Sequence, residues 1–135
     1  MLFRSSGADL SGSILQGANL TRAVLQRANL SKADLYEADL HEADLTGADL
    51  TETNLAETNL CMTKLVNANL NEANLQGADP TWANLTRANL RKANLTGVDL
   101  TEVNLSHADL IDAILDGSNM TGAIWDRKGD NEDHN

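Results

Sequence analysis

Leucine recurs at every fifth residue of this chain. Of the 24 positions divisible by five from Leu10 to Trp125, 21 are Leu, and the exceptions are Pro80, Met120 and Trp125. Two residues before each stands a small side chain, usually Ala, and Asp or Asn fills most of the positions between. The two residues that follow are mostly polar, and the register runs without insertion from Ala8 to Trp125. A helix turns about 100° per residue, so a five-residue step would swing successive leucines by about 140° and leave no apolar stripe. In a plain strand the small residue and the Leu share one face, but the next small residue falls on the wrong parity. A corner in every repeat resets that parity. Each pentapeptide is therefore predicted to be a short extended piece plus a turn, with Ala and Leu inward. Gly two residues after Leu, as at Gly12, Gly47 and Gly97, suits a corner with unusual dihedrals. A chain that turns the same way at each repeat winds into a solenoid.

The stretches ADLTGADL (43–50), ANLTRANL (83–90) and ANLRKANL (88–95) resemble the pentapeptide-repeat family. That resemblance implies an all-β fold, a right-handed parallel β-helix solenoid with square cross-section and four pentapeptides per coil. The 24 repeats then make about six coils, a rod roughly 29 Å tall at about 4.8 Å per coil. Residues 20 apart stack. The expected organisation is an N-terminal cap over 1–7, the β-helix over 8–125 and a polar, disordered tail over 126–135. Pro80 falls between Leu60 and Leu100 in an inner column. Its ring is predicted to point inward, at the cost of one inter-coil hydrogen bond.

Aromatic residues make up only 3% of the chain, so the core rests on repeated Leu and Ala. One cysteine, Cys61, allows no internal disulfide. The chain shows neither the apolar run of a signal peptide nor a membrane-length stretch, and a cytoplasmic location is expected. The net charge of −10 favours basic protein partners over direct nucleic-acid binding.

Little points to catalysis. A packed leucine core offers no pocket in which reactive groups converge. His41 and His107 fall on outward positions of distant coils, and Cys61 lacks an activating histidine nearby in sequence. Neither a phosphate loop nor metal-ligand spacing occurs. No enzyme activity and no cofactor are expected.

Charge and exposed apolar residues supply the candidate surfaces. Asp34, Glu37, Asp39, Glu42, Asp44, Asp49, Glu52 and Glu57 form an acidic belt free of Lys and Arg. Met62 and Trp82, one coil apart, form an apolar contact spot. Ile114, Met120, Ile124 and Trp125 are candidates for a cap or for a homodimer through the C-terminal end. The expected function is a rigid scaffold that presents a charged surface to an unknown protein partner. The resemblance also implies an alternative, an acidic DNA mimic that binds a topoisomerase such as gyrase.

Overall fold

The computed structural model describes residues 3–126. Residues at the Asp/Asn position pair in parallel with those 20 farther on, as in Asp9 with Asn29, Asn29 with Asp49 and Asp49 with Asn69. A turn falls in every repeat, so four corners make one coil of 20 residues. The 124 described residues wind about six coils. Each side of a coil contributes one bridging residue, and the ladders run up the rod.

The corners carry the conformational cost. The second residue after each Leu has φ between about +55° and +73°. A positive φ at that place alone is the signature of a type II turn. Glycine fills eight of these corners, among them Gly47 and Gly97. Sixteen others are held by non-glycine residues, including Glu52 at +56°, Trp82 at +61° and Arg87 at +59°. Glycine is thus optional at the corner. The ladders on either side impose the left-handed conformation on residues that would otherwise avoid it.

Each backbone donor in a repeat has an assigned acceptor, shown by the repeat from Asp49 to Thr53. The Asp49 N–H donates to Ala28 in the preceding coil at 2.9 Å, and that of Leu50 to Asn69 in the following coil at 2.7 Å. The Glu52 N–H reaches Asn71 at 2.9 Å, and that of Thr53 closes the turn onto Leu50 at 3.1 Å. The fifth donor, the Thr51 N–H, is too close to the corner for either ladder. It donates to the Asp49 side chain at 3.0 Å. This Asx turn explains the sequence pattern: only Asp or Asn at that position returns an acceptor oxygen to the residue two ahead.

Inside, the Leu and Ala columns are sealed, with Leu25 to Leu75 at most 1% exposed. Thr53 and Thr63 replace Ala without leaving a buried polar atom unpaired, because their hydroxyls donate to Leu30 and Leu40 at 2.8 Å. Towards the ends the core is only partly covered, at Leu10, Leu15 and Ala18 on one side and Leu115, Met120 and Trp125 on the other.

The repeat geometry starts before residue 8. Arg4 pairs with Val24, and Gly7 occupies a corner at φ +70°. The first residues extend the ladder because pairing needs only backbone, whatever their side chains. Phe3 is 42% exposed. Asp126 belongs to the described part, and the remainder of the expected tail lies outside the described residues.

Pro80 is buried, with its ring on the inner side. The defect there is larger than one bond. Pro80 has no N–H to give Asp99, and Asp79 and Asp99 form no bridge. The N–H groups of Gly77, Trp82 and Asp99 also lack the partners their repeat positions would give them, the carbonyls of Thr96, Thr101 and Ala78. The next bond along, from Asn104 to Ala83, is stretched to 3.4 Å. One missing donor has opened a seam across a whole side. The only two valines at the small inner position, Val98 and Val103, stand one coil on from Ala78 and Ala83, at the edges of this seam, and both are buried. Their extra methyl groups fit where the coils stand apart.

Candidate interaction surface

The 20-residue register decides which charges meet. The eight acids of the expected belt are distributed around the whole coil. Asp34, Asp39, Asp44 and Asp49 lie on four different sides, and Glu37, Glu42 and Glu52 on three different corners. Two are neutralised by the coil below: Arg22 reaches Glu42 at 2.7 Å and Lys32 reaches Glu52 at 4.0 Å. Glu37 and Glu57 share one corner column with no cation between them.

Sorting charges by side rather than by sequence gives a clearer surface. The side bearing Asp39, Asp79 and Asp99 is bounded by the corners that carry Glu37 and Glu57 and those that carry Glu42 and Glu102. Asp116 lies at the same first corner. Among the described residues, Arg22 is the one Lys or Arg on this side or its corners. Two sides round the coil, Arg27, Lys32, Arg87, Arg91 and Lys92 stand among Asp9, Asp49, Glu52, Glu72, Asp109 and Asp112, and the charges there nearly balance.

Several acids on the rod are held ionised by local donors. The Gln16 amide and the Tyr36 N–H lower the pKa of Asp34, and the Thr101 hydroxyl and N–H lower that of Asp99. A hydrogen bond from Arg22 lowers that of Glu42. Glu57 lies across Gly77 so closely that a Cβ there would strike its carboxylate.

Met62 and Trp82 occupy consecutive levels of the corner column between Glu42 and Glu102. They are 48% and 65% exposed. Trp82 therefore stands on the acidic side, at the edge of the Pro80 seam. Ile114 and Ile124 are exposed on outward positions, whereas Met120 and Trp125 pack against the end of the core. Burial raises the pKa of Cys61, with Asp79 and Glu42 adding to the shift, which is the opposite of nucleophile activation. His107 pairs with Asp126 at 2.7 Å and His41 lies 3.4 Å from Glu42. Among the described residues no cluster of His, Cys, Asp and Glu is arranged to hold a metal ion.

Pentapeptide repeats, in eight copies, match residues 6–41, 43–79, 63–101 and 88–124. A comparison with curated proteins yields no significant match. The chain is similar to the crystal structure of the pentapeptide repeat protein Rfr23 from the cyanobacterium Cyanothece 51142. The two are 34% identical over 91% of each chain, with a TM-score of 0.68. It is also similar to HetL of Nostoc sp. strain PCC 7120, a pentapeptide repeat protein involved in heterocyst differentiation regulation. Identity there is 31%, over 90% of this chain and 78% of that one, with a TM-score of 0.58. QnrB1, a plasmid-mediated fluoroquinolone resistance protein, shares the fold at 17% identity, 93% and 75% coverage and a TM-score of 0.59.

Proposed function

Because the chain belongs to the pentapeptide-repeat family, we propose that it is a non-enzymatic, rigid scaffold, working in the cytoplasm, that presents one acidic side to a basic protein partner. The observation that supports this reading is the sorting of charge by side, with Glu37, Asp39, Glu57, Asp79, Asp99 and Glu102 together beside one cation, Arg22, and five of the other cations two sides away. A solubilising charge has no need of such sorting, whereas a directional contact does. Trp82 supplies an apolar anchor within the acidic field, of the kind that dominates contact energies. The test is capture from native lysate with two variants. Neutralising Glu37, Asp39, Glu57 and Asp79 to their amides is expected to remove specific partners. Neutralising Arg27, Lys32 and Arg87 to Gln is expected to leave them. Identical capture by both variants would refute the reading.

A second reading, DNA mimicry, is favoured by the stacking of Glu37 and Glu57. Their column repeats at about 4.8 Å per coil, comparable with the roughly 3.4 Å of helix axis per charge on one DNA strand. On this reading the acidic side occupies a basic DNA-binding groove, such as that of a topoisomerase. A supercoiling assay with purified gyrase checks it: inhibition or protection that vanishes when Glu37, Asp39 and Glu57 become Lys. No effect at micromolar protein would eliminate this second reading alone.

A further inference from the structure

We propose that the rod associates head to tail with further copies of itself, the last described coil of one chain docking on the first coil of the next. Among the described residues both ends carry an unfinished ladder. At one end the N–H groups of Asp9, Ile14 and Asn19 have no acceptor among the described residues; at the other, those of Leu110, Leu115 and Met120 have none. In the interior coils these same positions donate to the neighbouring level, except at Pro80 and Asp99 on the seam. Each internal contact of the solenoid is itself a head-to-tail contact between coils. A second copy therefore offers each end the partner its backbone is already shaped for.

The cores at the two ends match in the same way. Leu10, Leu15 and Ala18 are partly covered at the first coil, and Leu115, Met120 and Ala123 at the last. Turning the second copy by one repeat lines up the steps of the two spirals. That register continues the inner columns from Leu115 to Leu10 of the second copy, from Met120 to Leu15 and from Ala123 to Ala18.

Charge selects this polarity over a symmetric one. Residues 3–32 carry Arg4, Arg22, Arg27 and Lys32 against Asp9, a net of +3 (four minus one). Residues 93–126 carry Asp99, Glu102, Asp109, Asp112, Asp116 and Asp126 with no Lys or Arg, a net of −6. Head-to-tail docking joins opposite charges, and in the aligned register Arg4 of the second copy stands beside Asp109. The tail-to-tail homodimer suggested by the exposed Ile114 and Ile124 would press two strongly acidic coils together. A heterologous contact of this kind does not close, so chains are expected to lengthen with concentration.

The test is sedimentation velocity of the full chain over a concentration series. The weight-average mass is expected to climb past twice the 14.5 kDa chain mass and to fall as salt is added. Arg4→Glu with Arg27→Glu turns the first end to −1 (+3 minus four) and is expected to return the chain to monomer; Asp112→Lys with Asp116→Lys leaves the last end at −2 (−6 plus four) and is expected to lower the mass at each concentration. All four positions are exposed or outward, so circular dichroism should not change. A single 14.5 kDa species at every concentration would overturn the proposal. So would a closed dimer, or an Arg4→Glu, Arg27→Glu chain whose mass still climbs with concentration.

Discussion

Replacing Pro80 by the leucine that its column prescribes tests how far one backbone donor controls the ladder. Pro80→Leu restores an N–H opposite Asp99 and removes the reason for the seam. The donors of Gly77, Trp82 and Asp99 then fall within reach of Thr96, Thr101 and Ala78. At about 1 kcal/mol net for each hydrogen bond, the gross gain is about 4 kcal/mol. Two effects oppose it. The unfolded chain loses the stiffness of proline, worth about 0.4–1 kcal/mol. Val98 and Val103, suited to separated coils, become overpacked at a cost of about 1–3 kcal/mol. The expected net stabilisation is about 1 kcal/mol, read from the midpoint of urea unfolding. Val98→Ala should then be less damaging in the Pro80→Leu background than in the native one, with a coupling of about 1 kcal/mol. Amide hydrogen exchange gives the sharper readout. The Gly77, Trp82 and Asp99 amides are expected to exchange freely in the native protein and to become protected in Pro80→Leu. Protection of all three already in the native protein, or no gain in the variant, would refute the account of the seam.

Other outcomes follow from the repeat chemistry. Asp49→Ala strips the acceptor from the Thr51 N–H and hydroxyl, and should cost about 1–2 kcal/mol in thermal or urea unfolding. The converse change, Lys64→Asn, supplies the Asx acceptor that Val66 lacks and is expected to stabilise by about 1 kcal/mol. Leu50→Ala opens a cavity in a fully sealed column and is expected to cost about 2–5 kcal/mol. Asp9, Asp34 and Asp99 are each held below the ordinary 3.8 by hydrogen bonds, so the folded chain binds fewer protons than the unfolded chain. Their contribution is complete above about pH 4 and is lost as pH falls through the lowered folded values. Asp34→Asn keeps an acceptor for Tyr36 and should flatten this acid limb.

The repeat unit, the inward Ala and Leu and the need for a corner were all readable in the sequence, because a five-residue period is incompatible with both helix and flat strand. The role of Asp or Asn was legible only as turn chemistry. The structure makes it necessary, since the Thr51 N–H has no other acceptor. Glycine at corners was a true signal that understated its case: Trp82 and Arg87 adopt the same dihedrals under the constraint of ladders the sequence does not display. Pro80 was recognisable as a defect, but its extent was not, because ladder bonds cooperate across a side.

The surface was harder to read, for a geometric reason. The acids from Asp34 to Glu57 are neighbours in sequence, yet a 20-residue coil carries them around all four sides. The carboxylates that share a side, such as Asp39, Asp79 and Glu102, lie dozens of residues apart. The sequence by itself determined the period, the core and the corners, since each follows from local parity and side-chain size. Which charges share a side and how far the Pro80 seam spreads were decided by the tertiary structure. Each depends on which residues stack one coil apart, and stacking is set by the closure of the coil rather than by any single repeat.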